Sequence, residues 1–214
     1  MSDTYSDFRE LEANEAEGLD WQREYLSRGS RILVMAPHGG WIEPFTSELA
    51  SAVAGTEFSF YTFQGIKSRG SDNLHLTSHR FDEPVALKAA GESQAILAVH
   101  GEKSRGRAFT MVGGRWTILR ESLAETLGKA GFLVEEPRPG LKGENPLNIC
   151  NRGRSGAGGQ LEISEGLRAV FRREPSELER FVEAVRGVIL ELEGSADGGQ
   201  EEAEMKSPLF GEGE

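Results

Sequence analysis

Two of the four histidines in this chain of 214 residues directly follow apolar runs, and each is followed by glycine. His38 comes after RILVMAP, His100 comes after QAILAV, and Glu43 lies five residues beyond His38. Two imidazoles and one carboxylate, with a fourth position left for water, form a common donor set for catalytic zinc. A lone histidine after a strand is more often an ordinary loop residue. From spacing alone, a metal site and two satisfied loop histidines remain open alternatives.

A further carboxylate, Glu162, lies within the apolar stretch QLEIS, where a charge is costly unless it is paired or bound to a metal. Beside a metal it would be suited to act as the general base. Taken by itself, it is better explained as a salt-bridged structural residue. His75 alternates with Leu74 and Leu76, so it either faces a cleft as a substrate contact or packs inside the protein.

Several polar residues surround the expected active edge. Arginine is the usual side chain for bidentate carboxylate recognition, and Arg152 and Arg168 are candidates to bind a substrate carboxylate. Asn151 lies in the long glycine-rich loop 140–159 and is another candidate substrate contact. Alternatively, its side chain could form hydrogen bonds with other residues of the same loop. The single cysteine, Cys150, is expected to be a small buried hydrophobe rather than a nucleophile.

Apolar runs alternate with amphipathic stretches along the chain. Strands are predicted at 31–36, 58–63, 94–101, 108–114, 132–136 and 160–164, and helices at 43–54, 83–91, 117–130, 166–173 and 175–193. Residues 4–28 are expected to be helical or irregular, and 74–78 extended. This alternation predicts an α/β sheet with helices on both faces. Ligands of such sheets bind beyond the carboxyl ends of the strands, where His38 and His100 are expected.

The composition is that of one soluble globular domain, which we assign to residues 1–193, followed by an acidic tail at 194–214 that is expected to be disordered. A formal net charge of -11 argues against a nucleic-acid partner. No apolar run approaches the roughly 20 residues that span a membrane. The polar N-terminus lacks the pattern of a signal peptide, so a cytoplasmic location is expected. The oligomeric state is not indicated.

A series of short blocks in this chain resembles the poly-γ-glutamate hydrolase family, which includes phage depolymerases and bacterial proteins called phage-related replication proteins. The blocks cover roughly residues 4–173. In order, they are TYSDFREL, EGLDW, APHGGWIEPFTSELA, YTFQG, NLHLTS, FDEP, AVHGE, MVGG, NICNRG and GGQLEIS. The GGQLEIS and NICNRG blocks are the most distinctive, and the conserved order of the blocks makes the resemblance specific.

The resemblance implies a zinc-carboxypeptidase-like domain with a mixed open sheet and one zinc ion per chain. It implies that His38, Glu43 and His100 are the zinc ligands and that Glu162 is the general base. The substrate would be a small or polymeric anionic amide, cleaved at γ-glutamyl linkages, and phage-encoded members would be released on lysis. Two alternatives on the same scaffold are a deacylase of N-acyl or formyl amino acids and an accessory or binding protein without turnover.

Overall fold

A computed structural model describes residues 3–205, with side chains described over 3–194. Within these residues the chain forms a single α/β domain. Its strands are β1 (Trp21–Leu26), β2 (Ile32–Gly40), β3 (Ser59–Gly65), β4 (Ala95–Glu102), β5 (Thr110–Gly114), β6 (Val134–Glu135) and β7 (Gly159–Ser164). Its helices are α1 (Phe8–Asn14), α2 (Thr46–Ala54), α3 (Pro84–Glu92), α4 (Thr117–Lys129), α5 (Glu165–Arg173) and α6 (Pro175–Met205). Short 3₁₀ turns lie at Ser71–Leu74 and Ile149–Asn151.

All the strands form one open sheet in the order β1-β3-β2-β4-β7-β5-β6. The central strands β3, β2, β4 and β7 are parallel to one another. Strand β1 is antiparallel to β3, and β5 is antiparallel to β7 but parallel to β6. The predicted mixed open sheet is therefore confirmed.

Both faces of the sheet are covered, which explains why the central strands are continuous apolar runs rather than alternating ones. Val34, Leu97 and Leu161 on neighbouring strands face the core that is shared with α2, α4, α5 and α6. Met35 and Ala98 face the opposite core, which α1 and α3 close. Helices on both faces, as predicted, leave the carboxyl edge of the parallel strands accessible to ligands.

Several elements differ from those predicted. Strand β2 runs to Gly40, beyond the predicted end at 36, so His38 lies within the strand rather than after it. Residues 21–26 form the edge strand β1 rather than part of an irregular prelude, and its alternating exposure leaves charged residues facing solvent. Residues 74–78 do not form a strand, because the 3₁₀ turn ends at Leu74 and a loop follows. Helix α6 continues to Met205, beyond the predicted end at 193, while 206–214 lie outside the described residues. The disordered tail expected at 194–214 stays a prediction.

Among the helices of residues 3–205, none combines the length and the apolar character that a membrane crossing requires.

Candidate active site

The carboxyl ends of three adjacent parallel strands bring the candidate residues together. His100 on β4 and Glu162 on β7 are direct partners in the register of the sheet. His38 lies on β2 three residues beyond Met35, which pairs with Ala98 of β4. The side chains of His38, His100 and Glu162 line one cavity of about 800 Å³, together with Glu43 and His75.

A tight loop returns Glu43 toward His38. The backbone N–H of Glu43 donates to the carbonyl of His38 at 2.8 Å, and the hydroxyl of Thr46 donates to the carbonyl of Glu43 at 2.8 Å. Gly40 permits this path, because its φ is +62° and a Cβ atom there would lie 2.3 Å from the carbonyl oxygen of Gly65. The double glycine after His38 is thus required for the close approach of β2 to β3.

Three potential ligand atoms converge in this cavity. His38 Nδ1 lies 3.2 Å from His100 Nδ1 and 3.3 Å from Glu43 Oε1, and His100 Nδ1 lies 3.7 Å from Glu43 Oε2. A tetrahedral zinc ion with bonds of about 2.0–2.2 Å separates its ligand atoms by roughly 3.3–3.6 Å. The three side chains therefore form a triangle whose sides, measured to two different oxygens of Glu43, are close to those of a zinc site.

The protonation of His38 strengthens this interpretation. Its Nε2 lies 2.8 Å from the carbonyl oxygen of Leu76, which only accepts hydrogen bonds, so Nε2 carries the proton. In the neutral imidazole, Nδ1 then directs a lone pair toward Glu43 and His100. Such a backbone carbonyl behind a histidine is the usual outer partner that fixes the tautomer of a metal ligand. Positive charge at this point, carried either by a metal ion or by a proton on an imidazole, stabilises the Glu43 carboxylate beside the two histidines.

Two carboxyl groups of the cavity, those of Glu43 and Glu162, have opposite electrostatic surroundings. Burial would raise the pKa of Glu43, but the charges and hydrogen bonds of His38 and His100 hold that pKa well below its usual range. The N–H of Gly101 also donates to Glu43 Oε2 at 2.7 Å. Burial, followed by the negative charge of Glu43, raises the pKa of Glu162 well above its usual range. Glu43 is therefore suited to bind a cation, and Glu162 to exchange a proton.

His75 lies beside this triangle. Its ring centroid is 4.2 Å from that of His38, and ligand atoms of His38, Glu43 and His75 all lie within 4.8 Å of one another. However, His75 Nδ1 is engaged by the carboxylate of Asp3 at 3.0 Å. Burial lowers the pKa of His75 to about 4, with the neighbouring His38 adding to the effect. The shorter distances favour His100 as the third ligand and leave His75 as a neutral neighbour.

One nitrogen in the cavity lacks a partner. Among the described residues, His100 Nε2 is the buried side-chain polar atom that makes no hydrogen bond within the protein. Buried nitrogens are nearly always paired, and an exception indicates a group that is not part of the polypeptide. Because His100 Nδ1 is the nitrogen that faces His38 and Glu43, the unpaired Nε2 points away from them, and a water molecule is the group that would complete its hydrogen bonding.

Three of the residues that were expected to bind substrate, Arg168, Asn151 and Arg152, do not line the cavity. Arg168 is buried, and its guanidinium donates to the carbonyls of Ile163, Pro44 and Glu102 at 2.6–3.1 Å. The side chain of Asn151 donates to the carbonyls of Gly143 and Asn145 within its own loop. Arg152 ends the second 3₁₀ turn and is not among the residues that line the cavity. The geometry favours structural roles for Arg168 and Asn151.

Other cavity residues were not identified from the sequence. Lys103 and Lys142 line the cavity and supply positive charge near the proposed ligands. Gln160 lies two residues before Glu162 and donates to it. Their surrounding loops are polar and carry no pattern that singles these residues out, although the i, i+2 spacing of Gln160 and Glu162 places both on one face of a strand. Cys150 is buried, and burial raises the pKa of its thiol to about 12, as expected for an unreactive residue.

Comparisons with known proteins identify relatives in both sequence and structure. Residues 5–183 match the poly-gamma-glutamate hydrolase family. The UPF0714 protein YmaC of Bacillus subtilis (strain 168) is 38% identical over 200 residues, which are 87% of this chain and 84% of YmaC. The structure of a bacteriophage poly-gamma-glutamate hydrolase superposes with a TM-score of 0.85 at 32% identity, covering 90% of this chain and 99% of the other.

A second solved structure is the zinc-free apo form of YndL. It superposes with a TM-score of 0.82 at 34% identity, covering 88% of this chain and 98% of the other. The YndL sequence of Bacillus subtilis (strain 168) is 37% identical to this chain over 193 residues, which are 85% of the chain and 74% of YndL. The extent of these matches, in sequence and in structure, shows that this chain belongs to the poly-gamma-glutamate hydrolase family.

Proposed function

We propose that this protein is a zinc-dependent hydrolase that cleaves γ-glutamyl amide bonds in poly-γ-glutamate or a related anionic substrate. The observation that carries the proposal is the convergence of His38 Nδ1, His100 Nδ1 and Glu43 within 3.2–3.7 Å, in the cavity that also contains Glu162. Membership of the hydrolase family and the zinc-free description of the related YndL structure support it.

The donor atoms of His38, Glu43 and His100 would hold the zinc ion, one per chain. Bound there, zinc would supply Lewis acidity toward the scissile carbonyl and would lower the pKa of a water toward about 7. The carbonyl of Leu76 keeps His38 in the tautomer that leaves Nδ1 unprotonated. The N–H of Gly101 holds the Glu43 carboxylate in place from the other side.

Glu162 would act as the general base and then as the general acid. It would accept a proton from the attacking water and deliver it to the leaving amine. Burial and the charge of Glu43 both raise the pKa of Glu162, so its ionised form is a stronger base toward the attacking water than an ordinary carboxylate. A group that gains a proton easily and returns it is suited to both halves of amide hydrolysis.

An anionic substrate needs local positive charge, because the chain as a whole carries a formal net charge of -11. Lys103 and Lys142 line the cavity and are placed to meet substrate carboxylates. His75 would contact the substrate as a neutral imidazole beside the ligands. The same lining carries the carboxyl groups of Glu43, Asp72, Glu102, Glu144 and Glu162, so the two lysines and the zinc ion would have to offset this negative charge for an anionic substrate to bind.

The test is an activity screen of the zinc-loaded protein. Poly-γ-glutamate, γ-linked and α-linked glutamyl oligomers, and N-acyl and N-formyl glutamate would be incubated with wild type and with Glu162→Gln. We expect cleavage of the γ-linked substrates and a loss of about 10²–10⁴-fold in kcat for the variant. Turnover confined to the N-acyl compounds would establish the deacylase alternative. Absence of turnover on every substrate, or an unchanged kcat in Glu162→Gln, would contradict the proposal.

A further inference from the structure

The Glu162 carboxylate makes one hydrogen bond within the described part of the chain. Gln160, two residues earlier on β7, donates from Nε2 to Glu162 Oε1 at 3.0 Å. Both side chains are buried, at 2% and 6% exposure, and both line the cavity. We propose that Gln160 is a positioning residue, which holds one oxygen of Glu162 and leaves the other directed to the reaction. The proposal rests on the function assigned to Glu162 above.

The orientation of the Gln160 amide is fixed by its neighbours. Asn148 Oδ1 accepts from the N–H of Cys150 at 3.1 Å, so the Asn148 amide must present its NH₂ group to Gln160. That group donates to Gln160 Oε1 at 3.1 Å. The NH₂ group of Gln160 is therefore the end that faces Glu162, since its oxygen is already engaged.

Both protons of Gln160 Nε2 have acceptors. One is bound by Glu162 and the other by the carbonyl of Leu141 at 2.9 Å, in the loop that forms a wall of the cavity. A side-chain amide with both ends satisfied cannot rotate without breaking several hydrogen bonds. Gln160 therefore connects the loop at residues 140–148 to Glu162, so that the position of the loop determines the orientation of the proposed base.

The loop makes room for this amide at Gly143. The φ of Gly143 is +66°, and a Cβ atom there would lie 2.6 Å from Gln160 Oε1. Any larger residue at this position would displace the Gln160 side chain, and most would also be strained. The backbone of the loop is therefore shaped around Gln160 in the position that contacts Glu162.

The experiment compares Gln160→Leu with wild type on the substrate that the activity screen identifies. Leucine keeps much of the side-chain volume but removes the donor. Because general acid–base catalysis contributes about 10²–10⁴-fold, loss of orientation should lower kcat at least about tenfold and leave KM within about twofold. Zinc content and thermal midpoint are measured in parallel. Gln64→Leu, the same change on β3 at a residue that does not line the cavity, should leave kcat unchanged.

A kcat for Gln160→Leu within about twofold of wild type would overturn the proposal, as would a loss expressed only in KM, which would indicate substrate binding. A second readout does not depend on turnover. In NMR spectra of the folded protein, the side-chain NH₂ signals of Gln160, assigned by their absence in Gln160→Leu, should shift in Glu162→Gln. Unshifted signals would refute the contact, whereas an unimpaired Glu162→Gln enzyme would refute the proposed function instead.

Discussion

His38 and His100 present their Nδ1 atoms to each other at 3.2 Å, although they are separated by 62 residues in the chain. Neither atom can donate to the other while both imidazoles are neutral with Nε2 protonated, and Glu43 Oε1 adds a third electron-rich atom 3.3 Å from His38. With those tautomers the arrangement becomes favourable when a cation lies among the three groups. A metal ion fulfils this requirement at pH values where the histidines are not protonated.

Zinc should therefore bind to this triangle and stabilise the fold. At free zinc about 100 times the dissociation constant, binding to the native state adds about 2.7 kcal/mol to the free energy of unfolding. Removal of zinc with a chelator should abolish activity, and re-addition should restore it.

We expect His38→Ala and His100→Ala to lose zinc, as measured by elemental analysis, and to lose the zinc-dependent rise in Tm. His79→Ala, an exposed histidine on the same cavity, is the matched control. Equal zinc content in all three variants would contradict this assignment.

Arg168 should support stability rather than substrate binding. Its guanidinium bonds the carbonyls of Pro44, Glu102 and Ile163, which follow Glu43, His100 and Glu162 by one or two residues. Arg168→Met removes the three hydrogen bonds that the buried guanidinium donates to these carbonyls, and we expect a loss of roughly 3 kcal/mol or more in the free energy of unfolding, measured in urea.

The matched control for that variant is Arg172→Ala. Arg172 is exposed and contributes a single longer hydrogen bond, 3.3 Å, to the same Pro44 carbonyl. Its loss should change stability by no more than about 0.5 kcal/mol. If Arg168→Met were as stable as wild type but raised KM sharply, Arg168 would be a substrate ligand after all.

The sequence was sufficient to predict the positions of the central strands, although β2 runs to Gly40, beyond the predicted end at 36, and includes His38. Because β2, β4 and β7 are buried on both faces, their apolar runs are unmistakable, and His38 and His100 mark where those runs stop. The edge strand β1 was missed because half of its residues face solvent. The contact between His38 and the Leu76 carbonyl could not be predicted, because it joins two segments that are far apart in the sequence and share no local pattern.

Asp3 should anchor the N-terminal segment to the active-site loop. Its side chain is 2% exposed and accepts hydrogen bonds from the backbone N–H and the hydroxyl of Thr77, in addition to contacting His75. Replacing it by asparagine at neutral pH should lower the free energy of unfolding by about 1–3 kcal/mol. Asp72→Asn, at an exposed aspartate of the same cavity, should have little effect on stability.

The contribution of Asp3 should depend on pH in a defined direction. Burial raises the pKa of Asp3, but its hydrogen bonds with Thr77 and His75 outweigh burial, and the pKa is lowered from the usual 3.8. A lowered pKa in the native state stabilises the fold above the unfolded-state value and ceases to do so as the pH falls through the native value. The difference between wild type and Asp3→Asn in urea unfolding should therefore shrink below pH 3.8. A difference that stayed constant down to pH 2 would show that the charge of Asp3 is not involved.

Lys142 should set the affinity for an anionic substrate. It is exposed on the loop that lines the cavity, so its ammonium group can meet a substrate carboxylate without rearrangement of the core. An exposed charge contact of this kind contributes about 0.2–1 kcal/mol to binding, and somewhat more where the cavity limits solvent. Lys142→Ala should therefore raise KM by about twofold to tenfold with little change in kcat. Lys142→Glu should raise KM further, and added salt should reduce both effects because it screens exposed charges.

Lys129→Ala, which removes an exposed lysine that pairs with Glu125 on α4, is the control for a general change in net charge. Equal KM values for the Lys142 and Lys129 variants would show that the carboxylates of the substrate are recognised by other groups in the cavity.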